Sequence, residues 1–142
     1  MGRLRDLMDG YYRTLDTQGL EAASRYWSPT CEFTAPGMRG RGPEFIRDYI
    51  QVFYDGSPDL RHTVRRSVET GSTITLELEA HGSNTGSLRL PIGEVPPTGR
   101  EWKVSVCVVV QVRDGAFSSY HIYFDMADFL AQIDLLPFAL AT

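Results

Sequence analysis

His62 stands between Leu60 and Val64 at a spacing of two, where apolar and polar residues begin to alternate. A strand there turns the imidazole onto an apolar face, where it can titrate near neutral pH and shuttle a proton. A core histidine satisfied by a backbone carbonyl fits the same spacing. Two tyrosines offer complementary chemistry. Tyr12 lies beside the apolar face of an amphipathic segment near the N-terminus, and Tyr120 lies in an alternating segment near the C-terminus. A phenol in a dry pocket donates a hydrogen bond to a carbonyl or enolate oxygen. Packed in a core, it needs only one partner for its hydroxyl. His62, Tyr12 and Tyr120 are the candidate catalytic groups.

Other sets of polar residues have simpler readings. His121, Tyr123 and Asp125 share a parity opposite to that of Tyr120 and Ile122. Asp125 reads as the N-cap of a last helix, with Asp128 adding favourable charge in its first turn. His121 then faces away from the core, and a register slip of one residue is needed to turn the set inward. Glu77, Glu79 and His81 alternate with Leu76, Leu78 and Ala80, which is the polar face of a strand. Arg61, Arg65 and Arg66 are solvated or paired with those carboxylates. No His/Cys/carboxylate set has metal-ligand spacing, so neither a metal nor another cofactor is expected. Cys31 and Cys107 lie in separate apolar runs and are expected as free thiols rather than a disulfide.

These groups must be positioned by an α+β domain. The chain has 142 residues, 42% of them apolar, including seven Tyr, seven Phe and two Trp, which suits one globular domain over 1–142. A net charge of −4 gives no footprint for nucleic acid or an anionic membrane. No apolar run approaches a membrane span, and no signal-peptide core follows Met1, so a cytoplasmic protein is expected.

Leu4, Leu7, Met8, Tyr11 and Leu15 place a helix over 3–16. Leu20, Ala23 and Trp27 extend into a second short helix stopped by Ser28-Pro29, and Cys31 to Ala35 forms a strand. Gly42-Pro43 opens a third helix with Phe45, Ile46, Tyr49, Ile50 and Phe53 on one face. From Leu60 the period becomes two, predicting strands at 60–69, 73–81, 86–90, 101–112 and 116–124. Helices first, then mostly antiparallel strands, then a helix with Met126, Phe129, Leu130 and Ile133, describe a curved sheet wrapped around N-terminal helices. Trp27, Phe53, Val106, Val108 and Ile122 are expected to line the cavity between them. One strand is apolar on both faces, with Val104 to Val112 on one side and Cys107 and Val109 on the other. A second copy of the chain, a loop, or the tail from Leu135 is expected to cover the outer side.

Four stretches carry a resemblance. Gly82-Ser83-Asn84-Thr85-Gly86, Pro96-Pro97-Thr98-Gly99-Arg100, Val112-Arg113-Asp114-Gly115 and Tyr123-Phe124-Asp125 with Leu130 to Pro137 occur in order. Together they resemble the SnoaL-like polyketide cyclases of the nuclear-transport-factor-like (ketosteroid isomerase-like) superfamily. The resemblance implies a cone-shaped fold and proton-transfer chemistry on hydrophobic small molecules. It also implies a His-x-Asp pair on the last strand, and that pair falls here on Tyr120 and Ile122. The neighbouring polar partners fall on Val106 and Val108, and the isomerases' Asp-Pro dipeptide is Ala35-Pro36. Ala, Val and Ile cannot accept a proton, so the usual machinery is missing at these positions.

Three functions fit. The first is an enzyme that closes or rearranges a ring in a hydrophobic polyketide-like intermediate, chiefly by holding it in a productive conformation. The second is a carrier of a hydrophobic metabolite, and the third a structural homodimer with a filled core. An open pocket of roughly 300 Å³ or more speaks for the first two.

Overall fold

The computed structural model describes residues 2–91 and 93–135. Helix α1 (Arg3–Gln18) buries Met8, Tyr11, Tyr12, Thr14 and Leu15; Met8, Tyr11 and Leu15 belong to the expected stripe, whose Leu4 and Leu7 are only partly buried. Helix α2 (Leu20–Ala23) and a single 3-10 turn (Ser24–Tyr26) lead into β1 (Trp27–Ala35) and β2 (Met38–Arg41). Helix α3 (Pro43–Gly56) starts on Pro43, whose missing N–H costs nothing in a first turn, and buries Ile46, Tyr49 and Ile50. Strands β3 (Arg61–Thr70), β4 (Thr73–Ser83), β5 (Leu88–Leu90), β6 (Gly93–Val95), β7 (Glu101–Arg113) and β8 (Ala116–Tyr123) follow, then helix α4 (Met126–Gln132).

Six strands form one sheet in the order β2-β1-β8-β7-β4-β3. The pairing is antiparallel except between β1 and β8, which run parallel. Its inner face carries Ile74, Leu76, Leu78 and Ala80 from β4 and Val104, Val106, Val108 and Val110 from β7, all buried against the helices. The architecture is the expected α+β wrap of a mostly antiparallel sheet around N-terminal helices. None of the helices among the described residues is long and apolar enough to cross a membrane.

Three local expectations are corrected. Trp27 is not helical: it opens β1 and pairs with Phe117 of β8. Nor do Ser28-Pro29 end the helix: α2 stops at Ala23, and Ser28 and Pro29 lie inside β1, where the register shift between Trp27 and Glu32 accommodates the proline. β2 and β6 were not foreseen, because Met-Arg-Gly-Arg and Gly-Glu-Val are short and carry no apolar alternation. The strand expected over 86–90 is shorter, Leu88–Leu90. Asp125 does cap α4, its Oδ1 accepting from the Asp128 N–H at 3.0 Å. The closing signature beyond Leu135 lies outside the described residues, as does the tail named above as a cover for the outer sheet face.

Two of the motifs that carry the resemblance are stitched to each other. Asn84 is buried; its Nδ2 donates to the Gly56 and Gly86 carbonyls, both at 3.1 Å. Its Oδ1 accepts from the Thr98 N–H at 3.0 Å and the Thr98 hydroxyl at 2.8 Å. The backbone adds Asn84 N to Arg100 O and Gly99 N to Asn84 O, both at 2.8 Å. Gly86 passes so close to the Asp55 carbonyl that a Cβ there has no room. One side chain thus ties the end of α3 to two loops. Asn84→Ala strands buried partners and is expected to cost about 2–3 kcal/mol, read as a lower urea midpoint with unchanged slope.

Candidate functional site

The candidate groups meet where α1 crosses the inner face of the sheet. Tyr11 and Tyr12 come from α1, Tyr120 from β8, Trp27 from β1 and His62 from the start of β3. The Trp27 Nε1–H donates to the Tyr11 hydroxyl at 3.2 Å, and the Tyr11 hydroxyl donates to that of Tyr120 at 3.2 Å. The Tyr120 and Tyr12 hydroxyls lie 3.3 Å apart, and either can donate.

The direction of this relay follows from its first member. An indole N–H only donates, so Tyr11 accepts from Trp27 and passes its own hydrogen on to Tyr120. Three phenols carry three hydroxyl hydrogens, and the two contacts among them use two. One O–H is left over, on Tyr12 or on Tyr120, and both residues line the same cavity. Burial, ahead of every other cause, pushes the phenols of Tyr11, Tyr12 and Tyr120 well above the ordinary range. They stay protonated and keep the spare donor.

That cavity is also lined by Phe53, Val106, Val108, Ile122 and His62, as anticipated, and by Tyr49, Trp102, Phe124 and Phe129. Trp27 is the exception: it is buried behind Tyr11 and is not at the cavity wall, because it sits on β1 rather than on a helix over the cone. The free interior is about 80 Å³, inside an apolar depression of about 600 Å³ once its solvent-open mouth is included. The interior figure is the one to compare with ligand sites, and it falls below the roughly 300 Å³ of a preformed site. A ligand must therefore displace side chains. Phe53 packs edge to face on both Phe124 and Phe129 in the cavity lining, and Phe53 and Phe124 are only partly buried.

His62 has a partner that sequence reasoning missed. Its Nδ1 lies 2.8 Å from Oδ1 of Asp16, and its backbone N–H donates to Oδ2 of the same carboxylate at 2.8 Å. The Tyr54 hydroxyl donates to Asp16 Oδ1 at 3.3 Å. Both side chains are about nine-tenths buried, at 12% and 11% exposure. The usable signal was that Asp16 follows Tyr12 by four residues and so shares its helix face. Tyr49 is a second omission: it lines the cavity, and its buried hydroxyl has no partner among the described residues.

The other candidate sets stay apart from this cavity. His121 and Tyr123 pack on the outer side of β8, with Tyr123 49% exposed. Glu79 and Glu77 pair with Arg65 and Arg66 on the outer side of the sheet. The two cysteines are free, and burial pushes the Cys31 thiol up to about 12, which removes it as a nucleophile near neutral pH. No group of three or more metal-ligating side chains occurs among the described residues.

The family model of the SnoaL-like domain matches residues 8–120. The fold is shared by solved structures at low identity. AclR, a proposed hydroxylase from Streptomyces galilaeus, superimposes with a TM-score of 0.80 at 16% identity, covering 96% of this chain and 83% of that one. IdmH, a proposed polyketide cyclase from Streptomyces antibioticus, gives 0.77 at 24% identity, covering 93% and 99%. TerC, co-crystallised with polyporic acid, gives 0.71 at 18% identity, covering 91% and 96%. No curated protein sequence matches the chain significantly.

Buried phenols also set the alkaline limit. Tyr11, Tyr12, Tyr49, Tyr54 and Tyr120 all ionise above the ordinary value of 10.0, with burial the largest cause. Above that pH the unfolded chain releases protons the folded chain keeps, so stability falls as pH rises. Phenolate absorbance is expected to appear for these five only in one cooperative step with unfolding. Gradual ionisation of all the tyrosines near pH 10 in folded protein contradicts the relay's burial.

Proposed function

The chain belongs to the SnoaL-like domain family, and from that premise we propose that it is a cyclase-type enzyme of secondary metabolism. It closes or rearranges a ring in a neutral, hydrophobic, polyketide-like intermediate held in the cavity. The observation that carries this reading is the spare phenolic hydrogen at the end of the Tyr11–Tyr120–Tyr12 relay, held on residues that line a largely apolar cavity. A single fixed donor binds one carbonyl oxygen and orients the rest of the ligand along apolar surface. It stabilises that oxygen more strongly as negative charge develops on it.

His62, Tyr12 and Tyr120 are the groups in reach of such a ligand, and Phe53, Val106, Val108 and Ile122 shape its apolar side. The positions that the family resemblance assigns to acid–base groups, Tyr120 and Ile122, carry no carboxylate, so ring closure relies on orientation and on the side chains of His62, Tyr12 and Tyr120 rather than on an aspartate from β8. Proximity of this kind can supply several kcal/mol of barrier lowering. The small free interior favours a second reading, a carrier that opens around a hydrophobic metabolite, and turnover separates the two.

The pocket is tested by calorimetric titration with beta-tetralone, a neutral ketone. The wild-type chain is expected to bind it and to reject naphthoate, whose charge loses water without gaining a partner. Ile122→Trp, which fills part of the cavity that Ile122 lines, is expected to weaken binding by about tenfold or more with the fold intact. Equal binding of naphthoate, or no effect of Ile122→Trp, counts against the reading.

The outer face of β7 is proposed to be covered by a second copy of the chain. Cys107 and Val109 are half-buried there, Tyr123 is exposed, and Val68 is 67% exposed on β3. Sedimentation at micromolar concentration is expected to give a dimer that Val109→Glu dissociates. A wild-type monomer ends the proposal.

A further inference from the structure

The geometry points to Asp16 as a positioning residue that makes the free Nε2 of His62 a base for carbon acids, so that the site removes a proton from carbon next to a ketone. This rests on the proposed function for the ketone and its pocket, and adds the step and the residue that direct it. Asp16 sits on α1 and spends both carboxylate oxygens on one residue of β3. Oδ2 accepts the His62 backbone N–H, so it is committed. Oδ1 lies 2.8 Å from Nδ1 and also accepts the Tyr54 hydroxyl. A carboxylate only accepts, so in the neutral ring the proton belongs on Nδ1. Nε2 is then left with its lone pair, and it has no partner among the described residues, while the imidazole lines the cavity. A surface salt bridge has no need of this arrangement; both side chains are about nine-tenths buried.

The second half of the step is already in place. The Tyr12 ring packs against the imidazole at a centroid separation of 4.9 Å, and its hydroxyl belongs to the relay with the spare hydrogen. A ketone whose oxygen accepts that hydrogen has its neighbouring carbon on the His62 side. Nε2 takes the C–H proton, the C–H electron pair forms the C=C bond of the enolate, and the carbonyl π pair moves to the oxygen under the phenol. The imidazolium formed is stabilised by Asp16. Where the ketone carries a C=C bond next to the deprotonated carbon, the enolate is a dienolate: the imidazolium returns its proton to the far carbon of that bond, the oxygen pair re-forms the C=O bond, and the double bond moves into conjugation. Where the enolate carbon first attacks a second carbonyl of the same molecule, the imidazolium protonates the new alkoxide, which closes the ring. No oxidant or co-reactant is needed.

Asp16→Asn tests the assignment with almost no change of shape. The amide oxygen must stay on the His62 backbone N–H, which puts the NH₂ group against Nδ1. That forces the ring proton onto Nε2 and abolishes the base. Nitrogen NMR of the neutral ring in the wild-type chain is expected to show a protonated Nδ1 and an unprotonated Nε2, reversed in Asp16→Asn. Solvent deuterium exchange into the acidic positions of beta-tetralone is expected to fall roughly 100-fold in both Asp16→Asn and His62→Gln, with KM nearly constant. A wild-type ring protonated on Nε2 overturns the assignment regardless of any substrate, and so does tetralone that binds without exchanging or exchanges at the wild-type rate in Asp16→Asn. Those results leave the ketone pocket standing, whereas failure to bind tetralone at all removes the pocket and the step together.

Discussion

Asp16 grips one residue of the sheet at two points, and the rest of the interior is arranged around that grip. A carboxylate that is nine-tenths buried is costly unless its oxygens are paired. Asp16 finds three donors within reach: the His62 backbone, the His62 ring and the Tyr54 hydroxyl. They come from β3 and α3, so one side chain sets the position of α1 against both the sheet and the neighbouring helix. Apolar burial of Met8, Tyr11 and Leu15 drives α1 onto the sheet but does not choose its register. The carboxylate does, since sliding the helix by a turn leaves a buried charge unpaired.

With that register set, the polar groups of the interior fall on one wall. Tyr12 lies one turn before Asp16, which brings its hydroxyl to Tyr120 and its ring to His62. Tyr11 turns the other way and takes the hydrogen bond of Trp27. The opposite wall, from β4 and β7, is Leu78, Ala80, Val104, Val106 and Val108. Few waters compete in such a space, so hydrogen bonds made at the polar wall act at a low effective dielectric and unmade ones are costly. The raised phenols and the orphaned Tyr49 hydroxyl are two expressions of the same surroundings.

Much of the fold was legible because its signals are local. Period two over β3, β4, β7 and β8 assigned parity correctly, which is why Val106, Val108, Tyr120 and Ile122 reach the cavity and His121 and Tyr123 do not. The Asp125 cap and the proline start of α3 are likewise decided within a few residues. Trp27 was misplaced because three apolar residues at helical spacing look alike whether the last one ends a helix or begins a strand. The short strands β2 and β6 have no pattern at all, being held by their neighbours. Half of the candidate site was legible in the same way. The half that was not depends on a contact between residues 46 apart, Asp16 and His62, which no spacing rule encodes.

On the proposed reading, the polar wall explains how this cavity stays chemically organised without the acid–base pair that the resemblance assigns to the last strand. The resemblance assigns that pair to β8, where Tyr120 and Ile122 now stand, and its partners to β7, where Val106 and Val108 stand. Putting a carboxylate back there without a partner buries a charge beside four apolar side chains and drives it to its neutral form. Asp16 avoids the problem by standing behind the imidazole rather than in the cavity. The charge is compensated where it sits, and an imidazole and phenols line the cavity in its place. A proton can then be moved in an apolar space without any permanently charged group in that space. The arrangement also fixes polarity: a ligand must bring its oxygen to the α1 side and its apolar body to β4 and β7. On the proposed reading the position of the base, and not the shape of the cone, decides which carbon reacts.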